Sequence, residues 1–255
     1  KNFKFKIMNK FLRFTAVVIV VLLTGVNNSY SKTSDCFERV NRAVFSFNTA
    51  LDKAIFKPVS KGYSYLPSPV KVGVGNATSN VSYLVTIPNQ ILQGKIYAAA
   101  NDTGRFLINT TVGILGLFDP ASRIGLEKKE HEDYGQTLGV WGVGHGCYVV
   151  LPVFGPSTVR DTVGKVANMA LDPFYLSTVG DKELLLDNNL GDRTYYIEQG
   201  FDKINWRAEN GKSIDDLEKN SIDFYASVRS VYLQRRDNLT NDGKTTADDE
   251  WKEFK

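Results

Sequence analysis

YGQTLGVWGVGHGCYVVLPVFGPST, residues 134–158, carries no formal charge, yet Gly135, Gly139, Gly142, Gly144, Gly146, Pro152, Gly155 and Pro156 break its apolar run too often for a spanning helix. A bilayer core holds no water to satisfy exposed amides, so irregular backbone survives there only when buried in protein or lining a wet cavity. The stretch, with Trp141, Gly142, Gly144 and Tyr148 at its centre, therefore predicts non-helical backbone sheltered beside lipid. A second uncharged run, FLINTTVGILGLF at 106–118, precedes it, and Gly113 and Gly116 interrupt what would otherwise be continuous helix. Together the two runs predict a membrane-facing surface. Apolarity alone also fits a glycine-rich core segment of a soluble protein.

The rest of the chain is patterned as helices. Asp35 and Glu38 form a capping-box pair, after which Phe37, Val40, Val44, Phe47, Leu51 and Ile55 recur at helical spacing until Pro58, the expected stop. Pro67 and Pro69 mark a turn; shorter helical patterns follow at 69–81 and 84–93, the latter containing Pro88, and 95–109 runs into the first uncharged stretch. Asp119-Pro120 reads as a turn or helix start, and 126–133 as a charged, solvent-facing connection. Pro156 and Ser157 are expected to open a helix ending at Asp172-Pro173. Residues 192–209 are patterned as a helix stopped by Gly211, and Ser213 and Asp216 suggest another start. Ile222, Tyr225, Val228, Val231 and Tyr232 form an apolar stripe, leaving Arg229, Arg235 and Arg236 to polar surface. Only 148–154 passes for a short buried strand. The fold class is all-α, with one domain at 32–236 and a disordered polar tail at 237–255.

A chain of 255 residues, 42% hydrophobic, can bury one good core. Its net charge of +3 is local: Lys1, Lys4, Lys6, Lys10 and Arg13 precede an apolar run at 14–26, and without these five the 31 basic residues fall to 26 against 28 acidic ones. The basic balance therefore belongs to targeting and gives no support for nucleic-acid binding. Residues 1–31 have the layout of a secretory signal, with cleavage expected after Ser31; the apolar run is shorter than the roughly 20 residues that span a bilayer.

Four blocks, FERVNRAVFSFN at 37–48, GRFLINTTVGILGLFDPAS at 104–122, GQTLGVWGVGHGCYVVLPVFGPSTVRD at 135–161 and SIDFYASVRSVYLQRR at 221–236, resemble in order and spacing those of the MlaA/VacJ family. The resemblance implies a helical ring in the periplasmic leaflet of the Gram-negative outer membrane. Misplaced phospholipid would leave the outer leaflet through it, without bond chemistry or cofactor. The implied partners are a trimeric porin and a soluble periplasmic lipid carrier. The first uncharged run is similar to a family hairpin that covers or uncovers the lipid path, in which Gly113 and Gly116 allow the bend while Ile114, Leu115, Leu117 and Phe118 form an apolar, membrane-embedded rim. Phe47 and Asn48 match positions that hold this segment closed, although core packing also accounts for an aromatic at Phe47. Shortening the helix at Ser46-Phe47 would rotate its downstream face by about 100° per residue. Family members usually carry a lipidated cysteine just after the apolar run. Cys36 departs from that pattern, being ten residues beyond the run and directly preceded by Asp35.

Cys36 and Cys147 stand where the family often has proline, and two arrangements stay open: a disulfide in an oxidising compartment, or two buried free thiols. Arg105, Arg160 and Asp161 flank the apolar blocks, placed either to touch headgroups or to sit in a solvated rim. The enzymatic alternative is a lipid hydrolase using His131 or His145, but there is no G-x-S-x-G nucleophile elbow and no recognisable metal site. A structural or surface-exposed, virulence-associated factor is the other alternative.

Overall fold

The amphipathic stripe downstream of Cys36 forms α1 (Glu38–Leu51) in the computed structural model, which describes residues 33–171 and 188–243. The expected signal at 1–31 and the tail beyond 243 lie outside the described residues. Asp35 does not cap α1. Its carboxylate accepts from Asn41 Nδ2 at 2.7 Å and from the Tyr225 hydroxyl, so it joins the interior instead. Nor does Pro58 stop the helix: a π-helical turn (Asp52–Phe56) leads into α2 (Lys57–Ser64), and Pro58 falls in that first turn, where its missing N–H costs little.

The two short helices expected at 69–81 and 84–93 are one, α3 (Ser68–Leu92), with Pro88 inside it. Packing of α3 along α4 (Ile96–Thr111) offsets the roughly 3 kcal/mol that an interior proline costs. Asp119 caps the short α5 (Pro120–Arg123), accepting from Ser122 N.

Residues 134–158 depart most from expectation. Their first part is helical, α6 (Tyr134–Val140), capped by the Asp133 side chain and buried at Gly135, Gln136, Thr137 and Leu138. Gly135 and Gly139 occupy helical positions instead of bending a hairpin. A Cβ on Gly164 of α7 (Val159–Leu171) would lie 2.3 Å from Gly135 N, so glycine on both sides is what lets the two helices touch. The second part is a two-stranded antiparallel ribbon, β1 (Tyr148–Leu151) and β2 (Gly155–Thr158), in the register Tyr148↔Thr158. Pro156 and Ser157 thus pair as strand, and α7 begins only at Val159. Tyr148 and Val150 alternate inward and pack with Tyr225, Val44, Phe45, Tyr232 and Leu233. The second uncharged stretch is therefore divided between interior positions and exposed ones. Val140, Trp141, Val153 and Phe154 are its exposed large apolar residues, while Gly142 supplies a turn at φ +88° and Gly144 faces open space.

α8 (Asn188–Asn220) continues through Gly211, Ser213 and Asp216. A side chain at Gly211 would come within 2.9 Å of the Arg207 guanidinium, which is held by Asp52 and Asp215, so this glycine makes room for an ion-pair cluster instead of ending the helix. α9 (Phe224–Thr240) is capped by Asp223 and includes 237–240, which the sequence places in the disordered tail. Ile222 lies outside the helix and is exposed.

Among the described residues the fold is helical apart from the one two-stranded sheet. Its contacts close a circuit: α1 packs on β1, β2 on α7, α7 on α6, α6 on α3, α3 on α8, α8 on α2, and α2 returns to α1 through the π turn. The Cys36–Cys147 disulfide, with Cα atoms 5.6 Å apart, fastens the entry to α1 against the start of β1. Beside it Tyr148 N donates to Ser34 O at 2.9 Å.

Candidate functional site

At the C-terminal end of α4 the backbone folds back on its last turn. Leu115 N donates to Thr110 O at 2.9 Å, Gly116 N to Asn109 O at 2.8 Å and Phe118 N to Gly113 O at 2.9 Å. Ile114 and Leu115 take φ values of 54° and 55°, a conformation L residues seldom adopt and one that surrounding structure must hold in place. Gly113 lies under two carbonyls, the Asn109 and Phe118 oxygens both 2.4 Å from where its Cβ would be, and a Cβ on Gly116 (φ +87°) would strike Asn80. The geometry turns the apolar side chains outward. Val112 and Leu115 are 71% and 74% exposed, and Leu107, Ile114, Leu117 and Phe118 are exposed beside them. Contiguous apolar surface of this kind marks a contact with membrane or partner.

The base of the loop is fixed by ions. Arg105, buried at 1% exposure, donates through Nη2 to Asp119 Oδ2 at 2.8 Å, through Nη1 to Ser122 Oγ at 3.1 Å and through Nε to the Tyr83 hydroxyl at 2.7 Å. Asn109 joins the same carboxylate at 3.0 Å. Burial opposes ionisation of Asp119, but the hydrogen bonds from Ser122, Asn109 and Arg105 outweigh it and hold the carboxyl at about 2.

Behind the rim the interior is polar. The buried residues of α3 are Asn80, Tyr83, Thr86, Asn89 and Gln90, where a core helix would ordinarily present aliphatic side chains. Asn80 donates to Thr110 Oγ1 at 2.8 Å, Gln90 to Asp102 at 2.6 Å, and Asn89 accepts from Thr137 at 2.6 Å. The buried carbonyl oxygens of Asn80 and Gln90 have no protein partner among the described residues, which suits a wet interior. His131 lies between two hydroxyls, Nε2 3.0 Å from Ser79 Oγ and Nδ1 3.1 Å from Thr86 Oγ1, and burial lowers its pKa. His145 Nε2 is 2.6 Å from Asp237. Among the described residues neither histidine is hydrogen-bonded to both a serine and a carboxylate.

An open cavity of about 510 Å³ lies between α2, α3, α8 and the 126–133 connection, lined in part by Tyr63, Lys71, Asn76, Lys128, Asn205 and Glu209. Asn76 belongs to both features: it faces this cavity, and its Nδ2 donates to Leu117 O of the rim at 3.4 Å. Apolar rim and polar cavity therefore adjoin across one residue of α3.

Phe47 and Asn48 are placed elsewhere. Asn48 donates to Leu151 O at 2.9 Å and accepts from Val153 N at 2.8 Å, so it holds the β1–β2 turn. Among the described residues no hydrogen bond joins it to 112–118. Phe47 is 54% exposed, neither core nor in the rim loop's hydrogen-bonded frame. Asn41, two helical turns earlier, does the same for the strand, donating to Tyr148 O at 3.0 Å and accepting from Val150 N at 2.9 Å. Polar residues seven apart on an otherwise apolar stripe were the available signal for this clamp. Arg160 and Asp161 are buried, not rim groups. Arg236, half-buried, donates to both oxygens of Asp133, at 2.6 and 3.0 Å, and to Asp161 at 2.9 Å, tying α9 to α6 and α7.

The site is thus a kinked apolar loop beside a polar cavity in a closed circuit of helices, and among the described residues no helix is long and apolar enough to cross a membrane. The family described as MlaA lipoprotein matches residues 33–239, and the chain belongs to that family. It is 35% identical over 243 residues to the Escherichia coli intermembrane phospholipid transport system lipoprotein MlaA, covering 91% of this chain and 90% of that protein. The Haemophilus influenzae protein of the same description is 30% identical over 239 residues, 90% of each chain. An uncharacterized Rickettsia prowazekii protein is 36% identical over 214 residues, 82% of this chain and 79% of that one. A solved structure described as the structural basis for maintenance of bacterial outer membrane lipid asymmetry superposes with a TM-score of 0.67 at 34% identity, covering 81% of this chain and 99% of that chain.

Proposed function

We propose that this protein is a conduit that removes mislocalised phospholipid from the outer leaflet of the outer membrane and hands it to a periplasmic carrier, so maintaining lipid asymmetry. The observation that carries the reading is the adjacency at Asn76: an exposed apolar loop at 112–118 borders directly on a polar cavity. Acyl chains stay in contact with apolar surface while the headgroup follows a wet, polar wall, and neither step needs bond chemistry. The relatives described as phospholipid transport lipoproteins support the cargo and an outer-membrane setting. Residence in the periplasmic leaflet, with a trimeric porin holding the ring in place, is the arrangement in which a rim without a spanning helix reaches lipid.

The test is photocrosslinking. A photoreactive residue at Leu115 or Phe118 in cells should capture phospholipid, and one at Arg123, on polar surface, should not. Equal capture at all three positions, or none at the rim, would remove the lipid-facing assignment.

A further inference from the structure

The cavity beside the rim carries charges of both signs. Lys71 and Lys128 line it, and among the described residues neither forms an ion pair; Lys71 Nζ donates only to the Ser64 carbonyl, at 3.0 Å. The Tyr63 hydroxyl is buried in the wall with no partner among the described residues. Glu209 also lines the cavity; its Oε1 accepts one bond, from Asn205 at 3.0 Å, which leaves most of its acceptor capacity open. Two ammonium groups and a phenol are donors that suit phosphate oxygens, whereas a carboxylate repels them. A wall with both is mismatched to a purely anionic group and matched to one that carries phosphate and amine together.

We infer that the cavity is a headgroup-selective site that favours a zwitterionic, primary-amine phospholipid over an anionic one, with Lys71, Lys128 and Tyr63 on the phosphate and Glu209 on the ammonium. The inference rests on the conduit reading. A volume of about 510 Å³ admits a glycerophosphate headgroup with its amine, and lies within the range of small-ligand sites. Because Asn76 joins the cavity to the rim, a headgroup seated here leaves its acyl chains beside Leu117.

The test uses the full mature chain in mild detergent and three probes: short-chain phosphatidylethanolamine, short-chain phosphatidylglycerol, and glycerophosphoethanolamine, which has the charges of the first without acyl chains. The wild type should bind the ethanolamine lipid about threefold to fivefold more tightly than the glycerol lipid, the size of one exposed ion pair. Glu209→Gln should abolish that preference, and Glu209→Lys should turn it toward phosphatidylglycerol. Lys71→Gln with Lys128→Gln should weaken both lipids together. Equal binding of the two lipids by the wild type, or a preference unmoved by either Glu209 substitution, would overturn the selectivity while leaving the conduit intact. Glycerophosphoethanolamine binding as tightly as the lipid would overturn the assignment to a lipid headgroup, and binding of neither lipid would overturn the conduit reading with it.

Discussion

Replacing Cys36 or Cys147 by serine removes a cross-link between residues 111 apart in sequence. On the chain-entropy account, opening a loop of that length returns about 4.8 kcal/mol of conformational freedom to the unfolded chain at 25 °C. For a protein of this size a urea slope of about 2 to 3 kcal/mol per molar turns that into a fall of about 2 M in midpoint. The assay is urea unfolding followed by circular dichroism, in one detergent, for the wild type, each single variant and the double. Each single variant should lose about as much as the double, because all three remove the same bond. A midpoint shift under about 0.5 M, or a double variant that loses the sum of the singles, would refute the reasoning. Unfolded, unreduced wild type should likewise show no reactive thiol.

Gly164→Ala places a Cβ 2.3 Å from Gly135 N, backbone that cannot step aside, and should destabilise by at least the roughly 1 to 3 kcal/mol of core overpacking, read as a lower urea midpoint. Gly116→Ala sets a Cβ against the buried Asn80 at 2.5 Å in a positive-φ turn; it should reduce lipid removal from the outer leaflet and cost more than about 1 kcal/mol of stability, read as a lower urea midpoint. Burial raises the Asp161 pKa, but Arg236, Arg160 and Tyr232 more than reverse that and hold the carboxyl at about 2, below its ordinary 3.8. A depressed folded pKa gives stability that is full above the unfolded value and lost as pH falls through the folded one. About 2 kcal/mol should therefore disappear between pH 4 and pH 2, and Asp161→Asn should flatten that part of the urea-midpoint profile.

The helical character of the chain was legible because apolar residues recur at helical spacing in α1 and α9, and the exposed turn at 112–118 was legible because glycines interrupt a charge-free run. Local punctuation misled wherever long-range packing overrode it. Pro58 and Pro88 read as breaks, yet a π turn absorbs the first and the α3–α4 contact carries the second. In 134–158 the absence of charge was read as lipid contact, whereas Gly135 is a helix–helix contact and Tyr148 is core. Nothing local distinguishes a glycine that bends a chain from one that admits a neighbouring helix. Arg105 and Arg236 read as surface charges because their carboxylate partners lie 14 residues away (Arg105 with Asp119), 75 away (Arg236 with Asp161) and 103 away (Arg236 with Asp133). Asn48 was expected to hold the rim segment closed, but the backbone it is hydrogen-bonded to is the β1–β2 turn.

The conduit itself is tested most directly by following a labelled phospholipid placed in the outer leaflet of cells that lack their own family member, with and without this chain. Intact lipid should leave that leaflet only when the chain is present. Lipid that stays in place despite folded protein at the outer membrane, or that leaves only as lyso-lipid and free fatty acid in a manner dependent on His131 or His145, would contradict it.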